Sequence, residues 1–369
     1  MRLGLVIYGS LETVSGGYIY DRMLVEHLRR QGDQVEVFSL PWHNYARHLA
    51  QNLSRTLLRR LRRASLDLLL QDELNHSSLF WLNRRLRPHV AYPILSIVHH
   101  LRCSEARPAW QNRLYRWVER RYLASVDGFI FNSQTTRAAV ESVLGRAKPA
   151  TVAYPGGDRL RLGLTPEQIT RRAQEPGPLR ILFFANLIPR KGLHTLLEAV
   201  ARLPQDRWRL DVVGGLEVDP AYVDAIRRTI RRVEWRQMGG VGATGPVTLS
   251  GSLPDPELAA RLAHSHLLCV PSSYEGFGIV YLEGMAAGLP AIASDAGATR
   301  EIISHGCDGF LVPPGDAARL ARHIQTLIDD RQRLADMSLA ARQRYLAHPT
   351  WTQSAEHIRH FLKTWIKYS

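Results

Sequence analysis

Two glutamates, Glu275 and Glu283, flank a glycine-containing turn in the segment PSSYEGFGIVYLEGMAAGLP at residues 271–290. The apolar run HLLCVPS leads into this turn and predicts a buried strand, while the residues after the turn predict a helix. Gly276 and Gly278 have no Cβ atom, so their backbone N–H groups can come close to a ligand. The first turn of a helix offers unpaired N–H groups and the positive end of the helix dipole, which attract an anion or sugar oxygen atoms.

The two carboxylates suit different parts of one ligand. Glu283 stands roughly one and a half turns into the expected helix. A carboxylate accepts two hydrogen bonds at once, which fits the neighbouring hydroxyl groups of a ribose. Glu275 precedes the helix and would meet another part of the same ligand. Either glutamate alone would fit an ordinary helix start, but two carboxylates and two glycines in this order favour a binding site.

The elements that must hold these residues follow the same order in both halves of the chain. RLGLVIYG predicts a strand, SLETVSGG a loop, the next residues a helix with Ile19, Leu24 and Leu28 on one side, and QVEVFSL a second strand. This order is a βαβ unit, whose crossover should be right-handed. Further strands are predicted at 92–98, 128–133, 150–155, 179–187, 208–215, 247–251, 266–272 and 290–295.

A polar stretch at 159–178, which ends in EPGP, predicts a linker. We therefore expect an α/β protein with a Rossmann-like, doubly wound domain at 1–172 and another at 173–350. Residues 351–369 predict a closing helix that belongs either to the second core or packs back on the first domain. Ligands of such sheets bind beyond the carboxyl ends of the strands, so two facing domains predict a small-molecule site in an interdomain cleft.

The composition is that of a soluble globular protein. The 369 residues are 45% hydrophobic and 22% charged. No run reaches the roughly 18–20 apolar residues that span a bilayer, and the opening MRLGLVIYGS is too short for a secretory signal. The three cysteines are far apart and predict neither a disulfide framework nor a thiolate metal site. A cytoplasmic location is the expectation.

A formal net charge of +14 predicts an anionic partner. The segment LSRTLLRRLRRASLDLL, from Leu53 onward, places leucines up to Leu68 near one helical face and arginines on the others. It could be a surface helix docked on its own domain or a helix that also touches anionic lipid. A nucleic-acid partner is not expected, because no aromatic-rich RNA motif or zinc finger accompanies the arginines. The arginines of this membrane or acceptor side are Arg55, Arg59, Arg60, Arg62 and Arg63.

The segment at 271–290 resembles the E-x7-E signature of the retaining family 4 glycosyltransferases, which have the GT-B fold. The resemblance extends over essentially the whole chain. PRKGLHTLLEA (189–199) looks like the donor-phosphate motif of the family, and VSGGY (14–18) is similar to its N-terminal glycine loop. SIVHH (96–100) and VAYPGGD (152–158) stand where the family has a catalytic histidine and the end of the first domain.

The resemblance implies a role for each residue of the turn. Glu275 and the N–H groups of Gly276, Phe277 and Gly278 would hold the donor sugar. Glu283 would hold the ribose of the nucleotide. The donor would then be a nucleoside-diphosphate sugar, with a UDP- or GDP-sugar favoured, and no other cofactor is expected.

Arg190 and Lys191 would neutralise the diphosphate as it leaves, a role that electrostatics also favours. Gly16 and Gly17 would approach the diphosphate from the first domain. Asn186 stands where the family often has an arginine. It can still bind the donor through a hydrogen bond but adds no charge, so neutralisation would rest more heavily on Arg190 and Lys191. No acidic DxD pair stands in a promising loop, which resembles the metal-independent members of the family.

His99 matches the histidine of the family that contacts the transferred sugar. His100 is adjacent, and the alternation of a strand lets only one of the two point at the site. A buried structural histidine is the alternative. A zinc site that includes Cys103 is disfavoured because a fourth ligand and the usual spacing are missing.

The resemblance implies a retaining enzyme that moves a hexose-type sugar to an acceptor hydroxyl by front-face substitution. The basic segment predicts a lipid-linked or glycan acceptor and a peripheral position on the inner face of the plasma membrane. Two alternatives stay open: a sugar-nucleotide epimerase of the same fold, and a non-catalytic, basic membrane-binding protein.

Overall fold

The computed structural model describes residues 1–13, 15–105, 107–160, 162–237 and 245–366. Val14, the first residue of the VSGGY segment, lies outside the described residues. The fold divides into two compact units. Unit 1 comprises residues 1–156 and 349–369, and unit 2 comprises residues 157–348.

Unit 1 contains a six-stranded parallel sheet. Its strands are β1 (Arg2–Tyr8), β2 (Gln34–Leu40), β3 (Leu68–Asp72), β4 (Ile94–Val98), β5 (Gly128–Phe131) and β6 (Ala150–Val152). They lie in the order β2-β1-β3-β4-β5-β6. Leu5 pairs in register with Val37 on one side and Leu70 on the other, so β1 is a central strand. The helices of unit 1 before residue 157 are α1 (Gly16–Arg30), α2 (Tyr45–Gln51), α3 (Arg55–Arg63), α4 (His76–Leu79), α5 (Leu82–Leu86), α6 (Ala109–Ser125) and α7 (Gln134–Leu144).

Unit 2 repeats this architecture. Its strands are β7 (Leu179–Phe184), β8 (Trp208–Val213), β9 (Val247–Gly251), β10 (Leu267–Val270), β11 (Ala291–Ser294) and β12 (Gly309–Val312), in the order β12-β11-β10-β7-β8-β9. The helices are α8 (Pro166–Gln174), α9 (Leu193–Val200), α10 (Pro220–Gln237), α11 (Asp255–His264), α12 (Ile279–Ala286), α13 (Thr299–Ile302), α14 (Ala317–Asp329) and α15 (Arg331–Leu346). Two doubly wound, Rossmann-like sheets confirm the expected α/β class.

Two strands were not predicted. The β3 segment LLLQD is buried at every position, but it follows a basic run, so its first leucine fitted the apolar stripe of the preceding helix. In the structure that helix ends at Arg63, and Leu68 opens β3 instead. Gly309–Val312, which forms the edge strand β12, is a run of only four residues with little periodicity to read.

The segment expected to be a linker, 159–178, contains α8 and belongs to unit 2. A capping box between Thr165 and Gln168 starts the helix. Arg172 is buried and donates from Nη2 to the carbonyl oxygen of Ala287 at 2.8 Å, so a polar side chain here packs inside the unit. The chain therefore passes from unit 1 to unit 2 between Gly156 and Gly157 rather than near residue 172.

The closing helix α16 (Trp351–Ile366) packs on α1 in unit 1. Arg359 donates from Nε to Asp33 at 2.7 Å, and the carboxylate of Glu356 lies 3.0 Å from Nε2 of His27. Trp365 lies against Gly128, where an added Cβ would be 2.6 Å from the indole ring. The sequence left open whether this helix belongs to the second core or packs back on the first domain. In the structure it packs on the first unit.

Candidate functional site

The predicted cationic pair and one glutamate meet in unit 2. Glu275 is 5% exposed in the loop between β10 and α12. Its Oε1 accepts a hydrogen bond from Nζ of Lys191 at 2.5 Å and one from Oγ of Ser272 at 2.6 Å. Nη1 of Arg190 lies 3.8 Å from the other carboxylate oxygen. Two side-chain cations thus surround one carboxylate, which leaves an excess of positive charge for an anion.

Close backbone packing brings Arg190 and Lys191 next to Glu275. Gly192 has a φ of +74°, and an added Cβ would lie 2.1 Å from the carbonyl oxygen of Pro271, so the loop after β7 lies directly on the end of β10. The N–H of Ser273 donates to the carbonyl oxygen of Arg190 at 2.8 Å. Arg190 in turn donates from Nη1 to the carbonyl oxygen of Tyr274 at 2.8 Å. These contacts fix Arg190 and Lys191 beside Glu275.

The loop after β11 supports Glu275 from a third strand. Gly297 has a φ of +68°, and a Cβ there would lie 1.9 Å from the carbonyl oxygen of Glu275. That same oxygen accepts a hydrogen bond from the N–H of Ala298 at 2.9 Å. Because β7, β10 and β11 are neighbours in a parallel sheet, their carboxyl ends place all three loops at one edge.

The charges of the cluster oppose the effect of burial. Burial disfavours ionisation of Glu275, but Lys191 and Arg190 hold the pKa of this carboxyl below its usual value. Burial lowers the pKa of Lys191, and Glu275 partly offsets that effect. An anionic ligand that joined this group would favour the charged form of the lysine further.

The turn at Gly276, Phe277 and Gly278 leads directly into α12, which begins at Ile279, one or two residues later than expected. Gly278 has a φ of +106°, and a Cβ there would lie 2.5 Å from the ring of Tyr281. A glycine is therefore required on both conformational and steric grounds. Phe277 is buried, with its ring centroid 5.9 Å from that of His348.

Glu283 lies inside α12 and is 3% exposed. Its Oε1 accepts a hydrogen bond from Nε of Arg159 at 2.9 Å, and Nη1 of Arg159 also pairs with Asp255 at the start of α11. Burial raises the pKa of Glu283, and Arg159 partly offsets the rise. Sequence reasoning missed Arg159 and Asp255, because the arginine stands in a stretch that reads as linker and its two partners are 96 and 124 residues away.

Asn186 lies at the carboxyl end of β7 and joins it to the end of β8. Its Oδ1 accepts a hydrogen bond from the N–H of Gly215 at 3.3 Å, and a Cβ at Gly215 would lie 2.9 Å from that oxygen. The asparagine therefore holds two loops together at the edge where Arg190 and Lys191 lie, but it adds no charge.

In unit 1 the glycines and the histidine that the sequence singled out are neighbours. Gly16 and Gly17 open α1, and a Cβ at Gly17 would lie 3.0 Å from Cδ2 of His99. Nε2 of His99 lies 3.2 Å from Oδ1 of Asp21, which is fully buried. The side chain of Asn132 donates to the carbonyl oxygen of His99 at 2.8 Å.

The environment of His99 favours its charged form. Burial opposes protonation, but Asp21, Asp72 and Glu73 outweigh burial and raise the pKa of His99 to about 8. His100 has a different partner, because its Nε2 lies 2.9 Å from Oε1 of Glu105. Of the two adjacent histidines, His99 is therefore the one beside the start of α1.

Unit 1 also contains buried acids that sequence reasoning did not find. Burial raises the pKa of Asp72 to about 7, with Asp21 adding to the rise, and burial raises the pKa of Glu119 to about 7. Asp21, Asp72 and His99 form one set close enough to hold a cation, and Glu73, His76 and Glu119 form another. Each set already contains an internal pair, since Asp21 pairs with His99, and Nδ1 of His76 lies 3.1 Å from a carboxylate oxygen of Glu73.

The basic segment that the sequence suggested for lipid contact is a short surface helix, α3. Its leucines Leu57 and Leu61 are buried in the core of unit 1, so they are not available to a membrane. Its arginines, Arg55, Arg59, Arg60, Arg62 and Arg63, are exposed. Within the part of the chain that the structure describes, no helix has both the length and the apolar character to cross a bilayer.

Comparison with protein families gives matches in both halves of the chain. A model described as glycosyl transferases group 1 matches residues 166–344, and a model described as glycosyltransferase family 4 matches residues 14–159. The solved sucrose-phosphate synthase from Thermosynechococcus elongatus superposes with a TM-score of 0.82 and 22% identity, over 100% of both chains. Anabaena Alr3699/HepE in complex with UDP and glucose gives a TM-score of 0.75 and 22% identity, over 99% of this chain and 100% of that one.

These likenesses place the two doubly wound units in the GT-B class of folds. Together with the family matches and the motifs at the sheet edges, they identify the chain more narrowly. It belongs to the family 4 glycosyltransferases.

Curated relatives are similar over part of their length. The GDP-mannose-dependent alpha-(1-6)-phosphatidylinositol monomannoside mannosyltransferase of Mycobacterium tuberculosis is 29% identical over 263 residues, which are 67% of this chain and 64% of that protein. The MMP alpha-(1->4)-mannosyltransferase of Mycolicibacterium hassiacum is 35% identical over 181 residues, which are 48% of this chain and 41% of that protein. The chain thus spans less than two thirds of the length of these relatives.

Proposed function

We propose that this protein is a retaining glycosyltransferase that moves a hexose-type sugar from a nucleoside-diphosphate sugar to an acceptor hydroxyl. The observation that carries the proposal is the cluster of Arg190 and Lys191 around the buried Glu275, at the carboxyl edge of the unit 2 sheet. Such an edge is where open α/β sheets bind ligands, and this one combines two cations with a carboxylate.

Each residue of the edge has a proposed role. Lys191 and Arg190 bind the diphosphate. Glu275 and the N–H groups of the turn at 276–278 bind the sugar hydroxyls. Glu283, which Arg159 orients through one carboxylate oxygen, binds the ribose. Asn186 positions the loop that carries the cations.

The proposed reaction exchanges two bonds on the same face of the sugar. The acceptor oxygen forms a bond to the anomeric carbon as the bond from that carbon to the diphosphate breaks, and an oxygen of the leaving phosphate takes the acceptor proton. Negative charge grows on the diphosphate during this exchange, and cations that are already in position stabilise it. No side chain has to act as a nucleophile, and Arg190 and Lys191 supply the charge that a metal ion supplies elsewhere.

Unit 1 is proposed to contribute His99, with Gly16 and Gly17 beside it. With a pKa of about 8, His99 is mostly an imidazolium at neutral pH, so both ring nitrogens donate hydrogen bonds. One donates to Asp21. The other is proposed to donate to a hydroxyl oxygen of the transferred sugar, which makes His99 a binding residue rather than a general base. The N–H groups of Gly16 and Gly17 are proposed to bind the diphosphate.

The similar proteins guide the choice of substrates. One curated relative is named for its dependence on GDP-mannose and for a phosphatidylinositol-based acceptor, and one solved structure holds UDP and glucose. We therefore propose a UDP- or GDP-sugar donor and a lipid-linked or glycan acceptor. We also propose a peripheral location at the inner face of the plasma membrane, which the basic surface supports, since the cytoplasmic leaflet carries anionic lipid.

A donor panel tests the proposal. Purified protein is first screened by thermal unfolding with UDP-, GDP- and ADP-sugars, because a ligand that binds only the folded form raises the melting temperature. The donor that stabilises the protein is then incubated with candidate acceptors, and the anomeric configuration of the product is read by NMR. Retained configuration is expected. Conversion of the donor sugar without any acceptor would support an epimerase instead, and no stabilisation by any donor would contradict the proposal.

A further inference from the structure

Helix α6 presents an exposed face that combines arginines with large apolar side chains. Its solvent-exposed positions are Ala109, Trp110, Arg113, Leu114, Arg116, Trp117, Arg120, Arg121 and Ala124. The single acidic residue between positions 109 and 125, all of which the structure describes, is Glu119, and it is fully buried. The exposed face therefore carries four positive charges and no negative one.

The apolar side chains of this face are unusually open to solvent. Trp110 is 66% exposed, Trp117 is 49% exposed and Leu114 is 43% exposed. The packing of α6 does not need these exposed side chains, because the opposite side of the helix buries Val118, Tyr122 and Leu123 in the core. Contiguous exposed apolar groups on one element mark an interaction surface more often than isolated ones do.

A groove runs along this face. It encloses about 680 Å³ and is lined chiefly by Arg84, Arg113, Arg116, Trp117, Arg120 and Arg121. Trp117 is held in place on its edge by contact with the ring of Phe80, and the guanidinium of Arg121 lies 3.4 Å from its ring centroid. Five arginines around one indole give a site for phosphate groups with an apolar floor.

The face continues toward the segment that the sequence had singled out. Trp81 is 49% exposed, and its N–H donates to Oδ1 of Asn52 at 2.9 Å. Asn52 is followed in the chain by Leu53, which is 59% exposed and precedes the basic helix α3. Exposed aromatic and leucine side chains therefore extend from α6 to the start of α3, with arginines on both helices.

We propose that this α6 face docks on a lipid bilayer that contains anionic phospholipid. Arginine side chains bind lipid phosphates, while indole rings settle at the level of the headgroups and leucine reaches the acyl chains. The 17 residues of α6 form a rod roughly 25 Å long, which suits a helix that lies flat on a surface. The inference rests on the proposed function only for its purpose, which is to bring the protein to a lipid-linked acceptor.

Vesicle binding without any sugar donor tests the proposal. The wild-type protein is sedimented with vesicles of phosphatidylcholine, and with vesicles in which part of the phosphatidylcholine is replaced by phosphatidylglycerol. Binding is expected only with phosphatidylglycerol and should weaken as salt is added. Reversal of three arginines, Arg113→Glu, Arg116→Glu and Arg120→Glu, should lower the partition coefficient by roughly 100-fold or more.

A matched control separates local from overall charge. Arg228→Glu, Arg231→Glu and Arg232→Glu make the same change of charge on the exposed side of α10 in unit 2, and binding should stay within a few-fold of wild type. A second variant, Trp110→Ser with Leu114→Ser, keeps all charges and should still weaken binding by roughly 10-fold or more. Circular dichroism and thermal unfolding confirm that each variant is folded.

Several results would overturn the proposal. Equal losses in the α6 and α10 variants would show non-specific attraction, and undiminished binding of the Trp110→Ser, Leu114→Ser protein would remove the apolar component. Binding to polyphosphate or RNA with no binding to vesicles would make the occupant a soluble polyanion. Release of nucleoside diphosphate from the donor in vesicle-free buffer should be unchanged in the α6 variants, so failure of the donor site and failure of the docking face give different results.

Discussion

At the scale of single residues, the site in unit 2 depends on charges held where water is largely excluded. Glu275 is buried, and its carboxylate is ionised because Lys191 and Arg190 are close. Removal of one partner leaves the other buried charges under-compensated, which costs folding free energy as well as function. A test of the role of any one residue must therefore measure folding and turnover separately.

Lys191→Ala should lower turnover of the donor by roughly 100- to 1,000-fold, because a positioned cation on the leaving diphosphate is lost. Ser272→Ala is the matched control: it removes the other hydrogen bond to the same carboxylate oxygen but no charge. Its turnover should fall by less than roughly 10-fold. Steady-state release of nucleoside diphosphate measures both, with melting temperatures recorded in parallel. Equal losses in the two variants would contradict a charge-specific role.

His99 should make stability depend on pH. Its pKa of about 8 lies above the usual value of 6.5, so its contribution is fully present below about pH 6.5 and is lost as the pH rises through about 8. The full effect is about 2 kcal/mol of unfolding free energy. Asp21, Asp72 and Glu73 all act electrostatically on the ring, so the contribution of His99 is isolated by comparison with a variant.

The comparison is between wild type and His99→Gln, unfolded by urea from about pH 6 to about pH 9. The difference in unfolding free energy should shrink as the pH rises. A difference that stays constant across this range would show that the imidazolium form is not favoured in the folded protein.

At the scale of elements, the site is an assembly of loops that glycines allow to touch. Gly297→Ala should destabilise unit 2 for two reasons. The new Cβ would lie 1.9 Å from the carbonyl oxygen of Glu275, and the alanine would have to adopt the positive φ of this position. Gly306→Ala is the control, since Gly306 also has a positive φ, of +82°, but has nothing within 4 Å.

We expect a loss of about 1 kcal/mol for Gly306→Ala, from backbone strain alone, and about 3 kcal/mol or more for Gly297→Ala. Chemical denaturation measures the loss, and donor affinity should fall only for Gly297→Ala. If the two variants lost equal stability and kept equal donor affinity, the close contact of the loop after β11 with Glu275 would not contribute to donor binding.

The elements also show what a sequence can reveal. Strands such as Gln34–Leu40 were predictable because apolar side chains recur along them and a turn glycine precedes them. The turn at 275–278 was predictable because glycines and a glutamate follow an apolar run there. Leu68–Asp72 was missed because a buried strand and the end of an amphipathic helix can carry the same leucines. Pro166–Gln174 was missed because Arg172, which reads as surface, is satisfied by distant carbonyl oxygens.

The same reasoning explains the unequal outcome within the site. Arg190, Lys191, Glu275 and Glu283 stand in short local motifs, so their proximity to strand ends could be read from the chain. Arg159 and Asp21 could not be found that way. Their partners, Glu283 and His99, are 124 and 78 residues away, and only the folded arrangement of each sheet brings them together.

At the scale of the whole molecule, the end of the chain stabilises its beginning. Residues 349–369 belong to unit 1, and α16 covers α1 with Ile358 and Leu362, both buried, and with the Arg359–Asp33 ion pair. The two units are thus linked by two crossings of the chain, at residues 156–157 and 348–349. Damage to α16 should therefore appear in the part of unit 1 formed by residues 1–156, which is distant from α16 in sequence.

Leu362→Ala should cost about 2–5 kcal/mol of stability, because the side chain is fully buried. Hydrogen exchange should speed up in α1 and β5 and stay unchanged in the strands of unit 2. Lys363→Ala, at the next and exposed position, is the control and should change neither stability nor exchange. Faster exchange in unit 2 alone would contradict the assignment of α16 to unit 1.

Calorimetric titration with the nucleoside diphosphate of the stabilising donor tests the central claim, that the edge of the unit 2 sheet binds this group. Lys191→Ala and Glu283→Gln should each weaken binding by roughly 10- to 100-fold, since each removes a charged contact. Arg202→Ala, at an exposed position two residues after the end of α9, should bind like wild type. Wild-type affinity in both site variants, with both proteins folded, would show that the ligand binds elsewhere.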